Sequence, residues 1–196
     1  MPTYVVMLGP PGSGKGTQAR RLAEKYGIPH ISTGDMFRAM KAEDTPLAWK
    51  VRAIMEQGAL VPDELTIEMV RERLGRADVR AGAIFDGFPR TTEQADALAR
   101  LLGEIFGAEL DVAFLLDVPE EEILRRIGQR AQIEGRADDS GEVVHRRHQT
   151  YLEQTAPLIE YYRDRDKLVE VDGARPVEAI TEELEARLEP FFTTSG

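Results

Sequence analysis

Five short apolar runs punctuate the chain: Tyr4–Leu8, Ile28–Ile31, Ala83–Phe85, Val112–Leu116 and Leu168–Val171. Most are too short for helices, show no polar alternation and are bounded by Gly, Pro or Asp. Strands covered on both faces of a parallel sheet have this pattern. Between the runs lie stretches with apolar spacings of three and four, such as Gln94-Ala95-Leu98-Leu101-Leu102-Ile105, which predict amphipathic helices. Strand alternating with helix predicts an α/β fold, a doubly wound five-stranded parallel sheet flanked by helices. The last pattern, Glu178–Glu189, predicts an acidic helix with a solvated face. Phe191 and Phe192 are expected to end it against the core, with Thr193–Gly196 fraying beyond.

Two segments exceed what such a sheet needs. Thr33 to Pro62 leaves room for two extra helices after the second strand, and the polar stretch Arg130–Asp139 interrupts two helical patterns. Both read as insertions able to move over a rigid sheet. Trp49 and Met55 are expected to pack the first of them.

The 196 residues fit one domain with an ample core. With 25 basic against 35 acidic residues the net charge is −10, a poor match to a nucleic-acid binder. No apolar run reaches the ~18 residues of a membrane span. The Met-Pro-Thr-Tyr start has no basic leader region, so no signal peptide is expected. Zero cysteines remove disulfides, thiol catalysis and cysteine–zinc sites, and suit a reducing compartment. His30, His145 and His148 show no metal-ligand spacing, and the latter two read as surface positions. Arginines outnumber lysines by 20 to 5. Either compositional bias or a need for bidentate phosphate forks produces such a ratio.

The strongest chemical signal follows the first run: Gly9-Pro10-Pro11-Gly12-Ser13-Gly14-Lys15-Gly16-Thr17, then a helical pattern from Gln18 to Tyr26. Strand, glycine-rich turn and helix in that order turn backbone N–H groups around phosphate oxygens at the helix's positive end. Lys15 can reach the β- and γ-phosphates, and a hydroxyl at the loop's end can ligate Mg²⁺. Gly16 separates Lys15 from Thr17, a variant of the strict P-loop pattern. Asp86, closing the third run, is placed to hold Mg²⁺ through water or to serve as a turn or cap aspartate. No Asn-Lys-x-Asp guanine signature is present, and Asp86-Gly87-Phe88-Pro89 is not an Asp-x-x-Gly switch.

With these residues in place, the chain resembles the adenylate kinase family of nucleoside monophosphate kinases. The match is carried by Gly9–Gln18, by Ile31-Ser32-Thr33-Gly34-Asp35-Met36-Phe37-Arg38, by Asp86-Gly87-Phe88-Pro89-Arg90-Thr91, and by Gly135-Arg136-Ala137-Asp138-Asp139. Thr155-Ala156-Pro157-Leu158-Ile159, Tyr161-Tyr162 and Val171-Asp172-Gly173 extend it nearly to the end. The resemblance implies Mg²⁺-dependent transfer from ATP to AMP, giving two ADP. It implies a P-loop core spanning 1–196, a helical monophosphate-binding insertion at 32–61 and a short lid at 129–139.

Carried over by position, Gly12, Ser13, Gly14, Lys15, Gly16 and Thr17 would bind ATP phosphates, and Thr17 and Asp86 the Mg²⁺. Arg126 would stack on the ATP base, flanked by the Arg175 backbone and Pro176. Thr33, Arg38, Ala59, Leu60, Val61, Gly87, Phe88, Pro89, Arg90 and Gln94 would line the AMP site. Lys15, Arg90, Arg130, Arg136 and Arg147 would close on the transferring phosphoryl group, Arg130 from the ATP side and Arg136 and Arg147 from the AMP side. Asp138 and Asp139 would belong to the lid.

The chemistry of the reaction agrees. The attacking phosphate oxygen is already ionised, so no general base is needed, and none is evident. What is needed is in-line placement and neutralisation of charge. Local alternatives remain for single residues. Thr91-x-x-Gln94 has capping-box spacing, so Gln94 reads as a helix cap as well as a ligand. Thr33, before a helical stretch, offers an N-cap reading beside the ligand one. Arg125 and Arg146, next to the two functional arginines, read as solvated neighbours.

Five residues separate Arg130 from Arg136, matching the short-lid form, although Gln129 and Ala131 stand where Gly is common. No zinc is expected. A UMP/CMP kinase of the same architecture is the nearest alternative, but there the Thr33 and Gln94 positions are usually Ala and Asn. A regulatory nucleotide-binding protein would not need the arginine set. A cytoplasmic monomer acting on nucleotides, without nucleic-acid or membrane partners, is the expectation.

Overall fold

The computed structural model describes residues 2–40, 43–134 and 141–193, with only the backbone for 130–134 and 141. Five strands, β1 (Thr3–Leu8), β2 (His30–Ser32), β3 (Gly82–Asp86), β4 (Val112–Asp117) and β5 (Leu168–Asp172), form one parallel sheet in the order β2-β3-β1-β4-β5. The helices are α1 (Lys15–Tyr26), α2 (Thr33–Met40), α3 (Pro46–Glu56), α4 (Asp63–Leu74), α5 (Thr92–Phe106), α6 (Glu120–Glu134), α7 (Gly141–Thr150), α8 (Pro157–Arg163) and α9 (Val177–Thr193). A 3₁₀ turn at Ala77–Ala81 and a π-helical turn at Tyr151–Thr155 complete the described elements.

The continuous apolar strands explain the layering. Along β1, Val5 and Met7 point to one face, where they join Leu22 of α1 and Leu184 and Leu188 of α9. Tyr4, Val6 and Leu8 point to the other, against Val70 and Leu74 of α4 and Leu98 and Leu101 of α5. Side chains alternating along a strand therefore fill two cores, one per face.

Local chemistry sets the helix ends. Thr91 caps α5 by accepting from the N–H of Gln94 at 3.2 Å, and Thr45 caps α3, with Pro46 in its first turn. Three glutamates, Glu120–Glu122, open α6, where negative charge meets the positive helix end.

The insertion after β2 holds the two extra helices, α2 and α3. Its own small core is Phe37, Val51 and Val61, with Met55 packed against it. Trp49 departs from expectation: it is 53% exposed, its indole N–H donating to Asp44 at 2.9 Å.

Other boundaries shift for identifiable reasons. The second strand starts at His30 rather than Ile28, because the Ile28 N–H bonds back to Ala23 at the end of α1 and Pro29 has no N–H to give. Helix α6 continues to Glu134, into the polar stretch expected to interrupt it. Helix α9 runs to Thr193, and only one of its terminal phenylalanines packs. Phe192 stacks on Tyr26 with ring centroids 4.2 Å apart, while Phe191 is exposed.

Candidate active site

The loop between β1 and α1 lies at the carboxyl edge of the central strand, where open parallel sheets bind ligands. Gly12 and Gly14 adopt positive φ, 85° and 96°, conformations that L side chains rarely take. The chain leaves Gly14 directly into α1, which has no side-chain cap and no acid in its first turn. The positive end of α1 thus carries no acid of its own, which suits it to an anion. Lys15 arches back over the loop, donating to the carbonyls of Gly9 at 2.7 Å and Pro10 at 2.9 Å.

In front of the loop is a cavity of about 600 Å³. Lys15, Thr17, Asp86, Arg90, Arg126 and Arg147 line it. Arg126 reaches it from α6: its Nη1 donates to the Ser13 carbonyl at 3.2 Å and its Nε to Glu122 at 2.7 Å. Hydrogen bonds from Arg125 and then Arg126 hold the Glu122 carboxyl at about 2. Arg125 and Arg146 are exposed.

Asp86 ends β3 with one oxygen 3.3 Å from His30 Nε2. Burial opposes its ionisation, but the His30 hydrogen bond and the charge of Lys15 keep its carboxyl below the ordinary value. A Cβ built on Gly16 would stand 3.2 Å from the same carboxylate, so Asp86 faces the backbone just before Thr17. Two oxygen ligands on one cavity suit a hard cation that takes its remaining ligands from water and phosphate, and Mg²⁺ fits. Among the described residues no cluster of three His, Cys, Asp or Glu could hold a metal by itself.

A second cavity, about 70 Å³, opens between α2, the segment 58–61 and the start of α5. Thr33, Arg38, Ala59, Leu60, Val61 and Gln94 line it, together with Gly87, Arg90 and Arg147. The side chain of Ser32, not Thr33, caps α2, accepting from the Asp35 N–H at 3.2 Å. Thr33 instead donates to the Gly87 carbonyl at 2.8 Å. Arg38 pairs with Asp35 at 2.5 Å, and Arg90 Nε donates to the Gly87 carbonyl at 2.9 Å. Gln94 is 2% exposed. Its carbonyl accepts from the Arg90 N–H at 2.8 Å, one residue before the position a capping box would use.

Among the described residues, not every expected one lines the two cavities. Phe88 is 1% exposed in the core and does not line the cavity, although Pro89, joined to it by a cis peptide, lines a small chamber between the two. The Ser13 side chain is buried within the loop. The Arg175 guanidinium turns to Glu183 and the Asp172 carbonyl, whereas the expected contact with the base is that of its backbone. Arg136, Asp138, Asp139 and the side chain of Arg130 lie outside the described residues. His145 is exposed and His148 half-buried. Three contacts were not foreseen: His30 on Asp86, Glu122 on Arg126, and Asp63 on Gln94. An acid four residues before Arg126 was the only local signal among them.

Arg90 and Arg147 line both cavities and the chamber between them. Two cavities thus share cationic side chains, an arrangement suited to passing a group between two anionic ligands. The sequence profile of the adenylate kinase family matches residues 7–167. The chain belongs to the adenylate kinase family. An adenylate kinase of Thermobifida fusca is 49% identical over 178 residues, 91% of this chain and 94% of its own. One from Thermus thermophilus is 50% identical over 184 residues, 94% and 96% of the two chains. A third, from Kosmotoga olearia, is 42% identical over 212 residues, covering 94% and 98%. The adenylate kinase match covers the phosphate loop, the smaller cavity, α7 and all of the larger cavity's lining but Val177. Among the described residues, no helix is long and apolar enough to cross a membrane.

Proposed function

We infer that this chain moves the terminal phosphoryl group of ATP to AMP, reversibly, giving two ADP. The observation that carries this reading is the sharing of Arg90 and Arg147 between a phosphate-loop cavity and a second, smaller one. Relatives named adenylate kinase do not favour the UMP/CMP alternative.

ATP phosphates sit in the loop 12–17, on the N–H groups at the start of α1 and against Lys15, which exchanges its carbonyl partners for phosphate oxygens. Arg126 covers the ATP base. AMP enters the smaller cavity with its base toward Gln94 and its phosphate toward Arg38 and Arg90. The AMP oxygen attacks in line without a base, and Arg90 and Arg147, with Arg130 and Arg136 from the lid, neutralise the charge that builds between the nucleotides. Each such cation is worth ~3 kcal/mol or more in the transition state. Guanidinium suits the role because it stays charged and forks onto phosphate.

Thr17 and Asp86 would hold Mg²⁺, which when bound screens phosphate charge. Residues 32–61 act as the mobile AMP-binding insertion and 129–139 as the short lid that keeps water from the phosphoryl group. Thr150 of α7 donates to the Gly58 carbonyl at 3.3 Å, linking the insertion to the helix that carries Arg147. With no cysteine in the chain, the lid has no thiolate to hold a structural zinc. We place the protein in the cytoplasm as a monomer.

Initial rates of ADP formation from ATP and Mg²⁺ with AMP, UMP, CMP or GMP as acceptor test this. AMP is expected to be the fastest, and faster turnover of UMP would overturn the assignment.

A further inference from the structure

The side chain of Gln94 is held at both ends by groups that cannot exchange roles. Its Nε2 donates to Asp63 Oδ1 at 2.7 Å, and its Oε1 accepts from the backbone N–H of Arg90 at 2.8 Å. The second Asp63 oxygen accepts from the Thr91 hydroxyl at 2.9 Å, which in turn accepts from the Gln94 N–H. A carboxylate only accepts and a backbone N–H only donates. Turning the amide over would set its oxygen against the carboxylate and its NH₂ against the Arg90 N–H, leaving buried groups unpaired. Asp63 stands in the first turn of α4, on an element apart from the phosphate-binding residues.

We propose that Asp63 is the positioning residue that selects a 6-amino purine at the acceptor site, by locking the Gln94 amide with one hydrogen and one lone pair toward the cavity. That edge matches a base presenting an amino donor beside a ring-nitrogen acceptor, the bidentate pairing glutamine makes with adenine. A 6-oxo purine places an acceptor where the amino group was, and only a reversed amide would satisfy it. Asp63 acts through Gln94 and touches neither nucleotide. The inference rests on the reading that the acceptor base lies against Gln94.

The test is steady-state kinetics with AMP and with IMP as acceptors at saturating ATP, for the wild type, Asp63→Asn, Gln94→Leu and the double variant, each checked for fold by thermal unfolding. Asp63→Asn keeps the size and a bond to Thr91 but is no longer acceptor-only. The AMP-over-IMP ratio of kcat/KM is expected to fall about tenfold, mainly through the KM for AMP, with the KM for ATP unchanged. In the Gln94→Leu background the same substitution should leave the ratio where it is. Parallel loss for AMP and IMP in Asp63→Asn, with the ratio intact, would overturn the proposal while leaving the base contact standing. A ratio unchanged by Gln94→Leu would instead remove the base contact, and the proposal with it.

Discussion

The ammonium of Lys15 donates to the backbone carbonyl of Gly9 at 2.7 Å. The cation proposed to bind phosphate is thus tied to the carbonyls of the turn that positions it. Lys15→Met should lower kcat by ~10³-fold. Because the displaced carbonyls can be rehydrated at the cavity, stability should change by no more than about 1 kcal/mol. Rapid-quench turnover and thermal unfolding of the same sample check both parts.

Gly9 tolerates no larger residue. Its φ is 141°, and a Cβ there would stand 2.8 Å from the Leu116 carbonyl of β4, a backbone atom with little room to move. Gly9→Ala is expected to destabilise the fold by roughly 2–4 kcal/mol. Urea unfolding measures it. A change below about 1 kcal/mol would mean that β4 gives way.

Arg90→Ala should reduce kcat/KM for AMP by at least about 10³-fold, with the far-ultraviolet circular dichroism of the wild type. Arg125→Ala, an exposed neighbour of Arg126, should leave turnover near the wild-type value. Equal losses in the two variants would contradict the shared-cation arrangement.

Glu122 provides a pH test. Its carboxyl is held at about 2 against an ordinary 4.5, first by Arg125 and then by Arg126. A depressed carboxylate contributes stability that is fully present above its unfolded value and lost as pH falls through the folded one. The pair should therefore persist from neutral pH down to about 2. Carbon-13 NMR of the Glu122 carboxyl should titrate near 2 and move upward in Arg125→Ala. A wild-type midpoint near 4.5 would show that the pair does not form in solution.

The parts of this protein that sequence made legible are those whose cause is local. The runs at Tyr4–Leu8 and Val112–Leu116 read as doubly covered strands because neither face carries polar residues, and both faces of the sheet are packed. The phosphate loop was legible because its glycines, lysine and following helix are consecutive. Apolar character starts the second strand two residues early, because the end of α1 takes the Ile28 N–H, a bond that apolar character does not report. Trp49 read as core because it is large and apolar, but its indole pairs with Asp44 at the surface.

Composition alone gave a net −10 for a chain whose ligands are anions, and only folding resolves that conflict. The chain brings Lys15, Arg38, Arg90, Arg126 and Arg147 from five separate segments around one cavity. The partners that orient the site are also distant in sequence: Asp63 lies 31 residues from Gln94, and His30 lies 56 from Asp86. Pattern and motif determined the order of elements, the phosphate loop and the family, because periodicity and turn chemistry act over a few residues. Which cations the two cavities share, and which carboxylate orients Gln94, were decided by tertiary structure, because those contacts exist only once the strands align and bring their loops to one edge of the sheet.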